Sequence, residues 1–377
     1  MSSKKRLAII NPDKCRPDKC AQECKKICPV NRVGKHCVTI GTIGIPKRKV
    51  ANISSTFCIG CNLCVKACPF DAIQIVNLPE GLDAKLVHSY GENRFQLFRL
   101  PYIRSGTVTG VLGPNGIGKS TAMSILSGKI VPNFGDEEGS HVLTATTKAF
   151  RGTSLQKYFK DLPTFTVIQK NQNIEGELAE HGGSTVAEYL GDTYPLSQGE
   201  QGSDAALVPA HLANSLLKVL SGGELQLVVT AKILGLRADV YIFDEPTNYL
   251  DVSQRLAVAS RIRALAESRP DAYVIVVEHD LAILDYVADH VCLMYGTPGA
   301  YGVVSMPHTT SKAINMFFRG YIPSENMKIR DVAYNYKLSL QVQYEDDTED
   351  DGGKKSQGYL EYPEMKICYG QSVGSVP

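Results

Sequence analysis

The sequence predicts an α/β protein in two unlike parts, a small cysteine-rich lobe and a larger domain built on a mostly parallel sheet. Three observations predict it. Nine of the eleven cysteines lie in the first 68 residues, and eight of them form two runs that each end in Cys-Pro. Gly113-Pro-Asn-Gly-Ile-Gly-Lys119-Ser120-Thr121 follows a strand-like stretch and opens a helix-like one, the context a phosphate-binding loop requires. Beyond about residue 79, short apolar runs alternate with helical segments, the pattern of a sheet covered by helices.

Residues 1–78 form the first part, with short strands at Leu7–Asn11 and Ile73–Val76 flanking the cysteine loops. Cys58-x2-Cys61-x2-Cys64-x3-Cys68-Pro69 has the ferredoxin spacing, in which three thiolates hold one 4Fe-4S cluster and the fourth reaches across to a second. Cys15-x4-Cys20-x3-Cys24-x3-Cys28-Pro29 is a stretched version, so two clusters are expected. By analogy with the ferredoxin exchange, Cys15, Cys20, Cys24 and Cys68 hold one cluster. Cys58, Cys61, Cys64 and Cys28 then hold the other, and Cys37 is left over. A pair of zinc sites is the rival, although structural zinc usually shows two Cys-x2-Cys pairs far apart and no Cys-Pro ending. Disulfides suit neither a cluster site nor a chain that opens without a signal peptide.

No apolar run approaches the roughly 18 residues that span a bilayer, so a soluble, cytoplasmic protein with no membrane partner is expected. The net charge of +1 hides an asymmetry, because residues 1–50 carry 13 Lys and Arg against 3 Asp and Glu. A positive lobe suits a polyanion such as RNA, through counterion release. The alternative is that these cations offset the charge of cluster thiolates and sulfides.

The second part reads as a buried strand at 107–112, a helix at 119–127 and further buried strands at 240–243 and 274–277. Within 145–162, Leu155, Tyr158, Phe159 and Leu162 fall at helical spacing and predict a short amphipathic helix whose stripe faces the core. Residues 345–351 read as a solvated linker, and a new segment opens over Tyr359–Tyr369.

The chemistry follows from strand ends. In the loop Gly113-Pro114-Asn115-Gly116-Ile117-Gly118, the backbone N–H groups of the residues other than proline and the helix start wrap a β-phosphate, with Thr121 also in the nucleotide-binding set. Lys119 reaches the β and γ oxygens and Ser120 ligates magnesium. Asp244 ends a buried strand and is set to hold magnesium through water, and Glu245 beside it to polarise the attacking water, which fits hydrolysis. His279 ends another strand at the same edge, near the γ-phosphate. Ser221, Gly222, Gly223 and Glu224 offer exposed amides before a helix, with a plain helix cap as the alternative.

Together GPNGIGKST, LSGGE, FDEP, the Asn248-Tyr-Leu-Asp251 turn and the EHD strand end resemble an ATP-binding cassette ATPase domain. Behind a two-cluster lobe they resemble subfamily E of that superfamily, the RNase L inhibitor and ribosome recycling proteins. The resemblance implies ATP-driven splitting of ribosomes into subunits after termination, by nucleotide-driven cassette closure that moves the iron-sulfur domain. Its expected partners are the ribosome, its small subunit and rRNA, and release and initiation factors. It also implies that Tyr90 and Phe95 sandwich adenine, that Ser221, Gly223, Glu224 and Asp251 serve a partner cassette, and that Gln172, rather than Gln169, is the Q-loop residue. It makes 79–320 the first nucleotide-binding domain, with a ribosome-contacting helix-loop-helix at about 143–162. Residues 321–377 become hinge, linker and the start of a second cassette that this chain lacks, so the Lys119 site needs that cassette in cis or in trans. The Arg that follows Leu-Gln in the family pattern is Leu227 here. Open alternatives are a redox or cluster-transfer ATPase and a truncated, non-hydrolysing ribosome-binding regulator.

Overall fold

The computed structural model describes residues 6–43, 48–54, 57–77, 86–91, 93–135, 143–172, 174–191, 207–330 and 333–334. The expected linker at 345–351 and the segment at Tyr359–Tyr369 lie outside the described residues. No helix among the described residues is long and apolar enough to cross a membrane.

The cysteine lobe has an internal echo. Strand β1 (Arg6–Ile10) pairs antiparallel with β4 (Ile73–Asn77), and β2 (Val38–Ile43) pairs antiparallel with β3 (Arg48–Ile53). Short helices α1 (Glu23–Ile27) and α3 (Leu63–Ala67) each start after a left-handed residue, Gln22 at φ 56° and Asn62 at φ 61°. Each stops at a Cys-Pro, because proline supplies no amide proton to continue the ladder and restricts the residue before it to extended backbone. Cys28 and Cys68 accordingly take extended conformations, and helix α2 (Pro29–Arg32) begins with its proline at N1.

The second part is an eight-stranded sheet. Its strands are β5 (Leu86–Ser89), β6 (Gln96–Phe98), β7 (Val108–Leu112), β8 (Val167–Lys170), β9 (Val240–Asp244), β10 (Tyr273–Val277), β11 (His290–Thr297) and β12 (Tyr301–His308). Their order is β5-β6-β12-β11-β7-β10-β9-β8, with antiparallel pairs only at β5-β6 and β11-β12. Side chains alternate between two buried faces, as strand geometry demands. Tyr241 and Phe243 belong to one apolar cluster with helices α7 (Glu175–His181), α8 (Val186–Leu190), α9 (Gly222–Gly235), α10 (Val252–Ser268) and α11 (Leu281–Val287). Val240 and Ile242 face α4 (Lys119–Leu126) and α6 (Ser154–Asp161) on the other side.

Helix α6 follows α5 (Leu143–Ala149), and its expected stripe is its inner face. Tyr158 and Phe159 are fully buried, Leu155 and Leu162 nearly so, and Phe150 stacks on Phe159 at 5.2 Å. Lys157 and Lys160 stay exposed on the other side. Leu227 is 2% exposed within the apolar cluster around α9, a position no arginine could occupy without burying its charge. After helix α12 (Thr310–Arg319) the chain is fastened back through Glu325. Its carboxylate accepts from Arg99 Nη1 and Tyr295 Oη, both at 2.8 Å, and from Met306 N at 2.9 Å.

Candidate functional site: an ATP cleft beside two thiol cavities

Parallel strands β7, β10, β9 and β8 lie side by side, so the segments leaving their carboxyl ends converge at one edge of the sheet. From β7 comes the glycine loop and Lys119, from β10 Glu278 and His279, from β9 Asp244 and Glu245, and from β8 Gln172. The resulting cleft of about 500 Å³ is lined by Tyr90, Phe95, Asn115, Gly116, Gly118, Lys119, Ser120, Thr121, Gln172, Asp244 and Glu245. Gly118 caps helix α4 at φ 86°, and a Cβ there would lie 2.4 Å from the Phe95 ring, so this position has room only for glycine.

Lys119 is buried and turned onto its own loop. Its ammonium donates to Gly113 O at 2.8 Å, Pro114 O at 3.2 Å and Asn115 Oδ1 at 3.0 Å, and meets His279 Nε2 at 2.9 Å. Burial holds its pKa below the usual lysine range, against the pull of Glu245 and Asp244. His279 Nε2 also lies 3.1 Å from Glu245 Oε1. One ring nitrogen thus faces two partners: protonated it donates to Glu245, deprotonated it accepts from Lys119. Burial and the nearby Lys119 charge lower the His279 pKa, which favours the neutral ring. Asp244 is 6% exposed, and burial with the adjoining Glu245 charge raises its carboxyl above the ordinary range.

Glu245 is held in an unusual backbone conformation, φ 47°. Its carboxylate accepts from Gln172 Nε2 at 2.8 Å and from Asn248 Nδ2. Gln169, the other candidate, stays within β8 and does not line the cleft.

Sequence reasoning missed the residues that hold this turn. Gln226 Nε2, from inside α9, donates to Glu245 O at 3.0 Å and Pro246 O at 2.9 Å. Lys170, 1% exposed, donates to Asp244 O at 3.2 Å, and burial lowers its pKa to about 8. Glu278 accepts from the Thr247 amide at 3.2 Å and from the Thr247 hydroxyl. The available signal was charge and amide at positions of otherwise apolar elements: Lys170 ends a buried strand and Gln226 sits among leucines and valines.

None of Ser221, Gly222, Gly223 or Glu224 lines this cleft. Ser221 caps α9 in a capping box, its hydroxyl and amide both bound to Glu224 Oε2, at 2.7 and 2.8 Å. The helix cap and the exposed glycine amides therefore coexist. Asp251 makes the matching capping box for α10, and Gly223 is so close to this turn that a Cβ would meet Tyr249 O at 2.8 Å.

In the cysteine lobe two separate cavities gather the thiols. Cys15, Cys20, Cys24 and Cys68 line one; Cys28, Cys58, Cys61 and Cys64 line the other, together with Cys37. Among the described residues no group of three or more His, Cys, Asp or Glu side chains is arranged to hold a single metal ion. Four thiols around a cavity with apolar walls fit a larger inorganic cube. Backbone amides already point at the sulfurs, Ala51 N at Cys15 Sγ and Ala72 N at Cys68 Sγ, both 3.4 Å. Burial pushes the Cys24 and Cys64 thiols up to about 11, and burial with the neighbouring Cys28 and Cys58 pushes Cys37 to about 12. Ligation by thiolate at neutral pH therefore has to release protons.

Known proteins carry the same arrangement. Residues 6–36 match the model of a possible Fer4-like domain in RNase L inhibitor, residues 51–74 a 4Fe-4S binding domain and residues 101–248 the ABC transporter family. Translation initiation factor RLI1 of Chaetomium thermophilum is 43% identical over 97% of this chain and 58% of its own length. The chain belongs to the RLI/ABCE1 family of ABC proteins. A model of ribosome-bound archaeal Pelota and ABCE1 matches with a TM-score of 0.80 at 41% identity, covering 93% of this chain and 57% of that one. The archaeal ribosome recycling factor aABCE1, solved with ribosomal stalk protein aP1, matches with a TM-score of 0.63 at 40% identity, over 71% of this chain and 51% of that one. This RLI-family chain thus combines an iron-sulfur lobe with an ATP-binding cassette, and spans 58% of the length of its Chaetomium relative.

Proposed function

We propose that this chain is the cluster-bearing, first-cassette portion of an ATPase that splits ribosomes into subunits. Residues 1–78 form the cluster lobe, 79–320 the cassette, with the helical insertion at about 143–162, and 321–377 the hinge, the linker and the start of a second cassette. The observation that carries the reading is that Lys119, Asp244, Glu245 and Gln172 line one cleft, with His279 against Lys119 and Glu245, in a chain whose own signature lies outside that cleft. Such a signature is available only to another cassette, so nucleotide becomes the glue between two of them.

On ATP binding, Lys119 exchanges its loop carbonyls for β and γ oxygens, and the glycine-loop amides take the β-phosphate. Tyr90 and Phe95 take the base. Ser120 and Asp244 both line the cleft and would hold a magnesium ion, which would supply positive charge against that developing on the phosphates. Glu245 orients and polarises the attacking water, Gln172 and Asn248 fix its carboxylate, and His279, in its Nε2–H tautomer, donates toward the γ-phosphate once Lys119 has left it. The two thiol sets fit two 4Fe-4S clusters, Cys15, Cys20, Cys24 and Cys68 holding one and Cys28, Cys58, Cys61 and Cys64 the other. Bound there, the clusters would cross-link a lobe in which four of the buried apolar residues are cysteines. The exposed Lys157 and Lys160 of α6, and the basic lobe, suit rRNA phosphates.

The partners are those of the family: the ribosome and its small subunit, and release factors of the kind represented by Pelota in the matched ribosomal model. The test is co-sedimentation of the iron-loaded protein with small ribosomal subunits in a sucrose gradient with a non-hydrolysable ATP analogue. Nucleotide-dependent comigration is expected. Protein that stays at the top of the gradient with and without nucleotide would overturn the ribosomal reading.

A further inference from the structure

The two thiol cavities are not alike. Cys15, Cys20, Cys24 and Cys68 line the first, whereas Cys28, Cys37, Cys58, Cys61 and Cys64 line the second. A 4Fe-4S cluster takes four thiolates, so the second cavity has one thiol more than its cluster can use. The internal echo of the lobe says which one. Cys28 and Cys68 each end a short helix in front of a proline with nearly the same backbone, φ −61° and ψ 119° against φ −76° and ψ 114°, and so play equivalent parts. No cysteine of the first cavity answers to Cys37.

Cys37 is 2% exposed, and its backbone is fixed on both sides. Asn31 Oδ1 accepts from Cys37 N and Val38 N, both at 2.8 Å, and Asn31 Nδ2 donates to Val38 O at 2.9 Å. The Cys37 carbonyl accepts from Ser54 N at 2.7 Å. Asn31 lies in α2, which follows directly on Cys28, so one short segment carries a proposed ligand and also places the fifth thiol. With the main chain held, rotation about the Cα–Cβ bond is what remains to move the sulfur, and the Cys37 thiol is in hydrogen-bonding contact with those of Cys28 and Cys58. A thiol not spent on iron keeps its hydrogen, which leaves one S–H donor buried beside two sulfur acceptors.

We propose that Cys37 is not a ligand but a donor to ligands, a neutral thiol whose S–H is shared between the Cys28 and Cys58 sulfurs and withdraws charge from them. Hydrogen bonds to ligand sulfur set the electronic character of an iron-sulfur site, so the two sites of this lobe are unequal, the second having a thiol donor that the first lacks. The inference rests on the reading of two 4Fe-4S clusters, with Cys28, Cys58, Cys61 and Cys64 holding the second.

The test compares the iron-loaded chain with Cys37→Ala and Cys37→Ser, all purified anaerobically. It reads iron and sulfide content, infrared absorption in the S–H stretching region, a window free of other protein bands, and resonance Raman scattering from the iron–sulfur bonds. Cys37→Ala is expected to keep all of the iron and to lose one S–H band, which in the unsubstituted protein lies at the lowered frequency of a bonded thiol. Its iron–thiolate stretching bands move to higher frequency, because charge returns to the ligand sulfurs. Cys37→Ser keeps a donor in place and holds those bands at the positions of the unsubstituted protein. Loss of about half of the iron in Cys37→Ala would make Cys37 a ligand and overturn the proposal. An S–H region or iron–sulfur bands unchanged by Cys37→Ala would overturn it as well. Fewer than about eight iron and eight sulfide in the unsubstituted chain would overturn the two-cluster reading, and the proposal with it.

Discussion

The two parts of this chain keep themselves folded by different means. In the cassette, both faces of an eight-stranded sheet are covered and the chemistry stands at its rim, so the functional side chains are supported by a core to which they contribute little. In the cysteine lobe, four of the eleven buried apolar residues are themselves cysteines, Cys24, Cys28, Cys37 and Cys64, and the rest come mainly from two short strand pairs. A lobe this small buries too little to hold itself together without a staple. There the cofactor site is the core, whereas in the cassette the site depends on a core that exists without it.

Removing iron therefore separates the two. Chelation under reducing conditions is expected to abolish protection of residues 6–77 against proteolysis, while the cassette keeps its own cooperative thermal transition. Cys61→Ser, at an exposed member of a proposed ligand set, is expected to lose about half of the iron if two clusters are bound as proposed. An unaffected iron count would remove Cys61 from the ligand set.

In the cassette the sharpest break is chemical. Glu245→Gln retains ATP but slows hydrolysis at least about tenfold, a barrier increase of about 1.4 kcal/mol. Turnover is to be measured where a second cassette can close the site. An unchanged rate would take Glu245 out of the water-activating role. Gln226→Leu removes the side-chain donor to the Glu245 and Pro246 carbonyls and costs the cassette about 1–3 kcal/mol of stability, read by denaturant unfolding, with iron content unchanged.

The smallest effect is electrostatic. Lys170 releases its proton at about 8 when folded but nearer the ordinary lysine value when unfolded. Between those values the unfolded chain binds more protons, so stability rises with pH, by at most about 1.4 kcal/mol per pH unit. Lys170→Met flattens that rise. A profile between pH 8 and 10 identical to the parent's would contradict the assignment.

Much of this was legible in the residues because the motifs are local. The glycine loop, Asp244-Glu245 and Glu278-His279 are contiguous with the buried strands that aim them, so apolar runs predict both strand and site. The exchange of Cys28 and Cys68 between the two thiol sets was expected by analogy with ferredoxins, and the two cavities group the thiols in that way. What was not legible is what reaches across the fold. Gln226 and Lys170 find the Glu245 turn only after α9 and β8 pack beside β9, and Asn93 meets Ile53 from 40 residues away. Neither partner's position in the sequence carries a pattern for the other.

If the core of the lobe is inorganic and double, its iron and sulfide content must say so. Iron and acid-labile sulfide quantitation with Mössbauer spectroscopy on the anaerobically purified chain reads both. Two 4Fe-4S clusters predict about eight iron and eight sulfide per chain, with all iron in cubane environments. About two zinc ions and no sulfide, or about four iron, would contradict it.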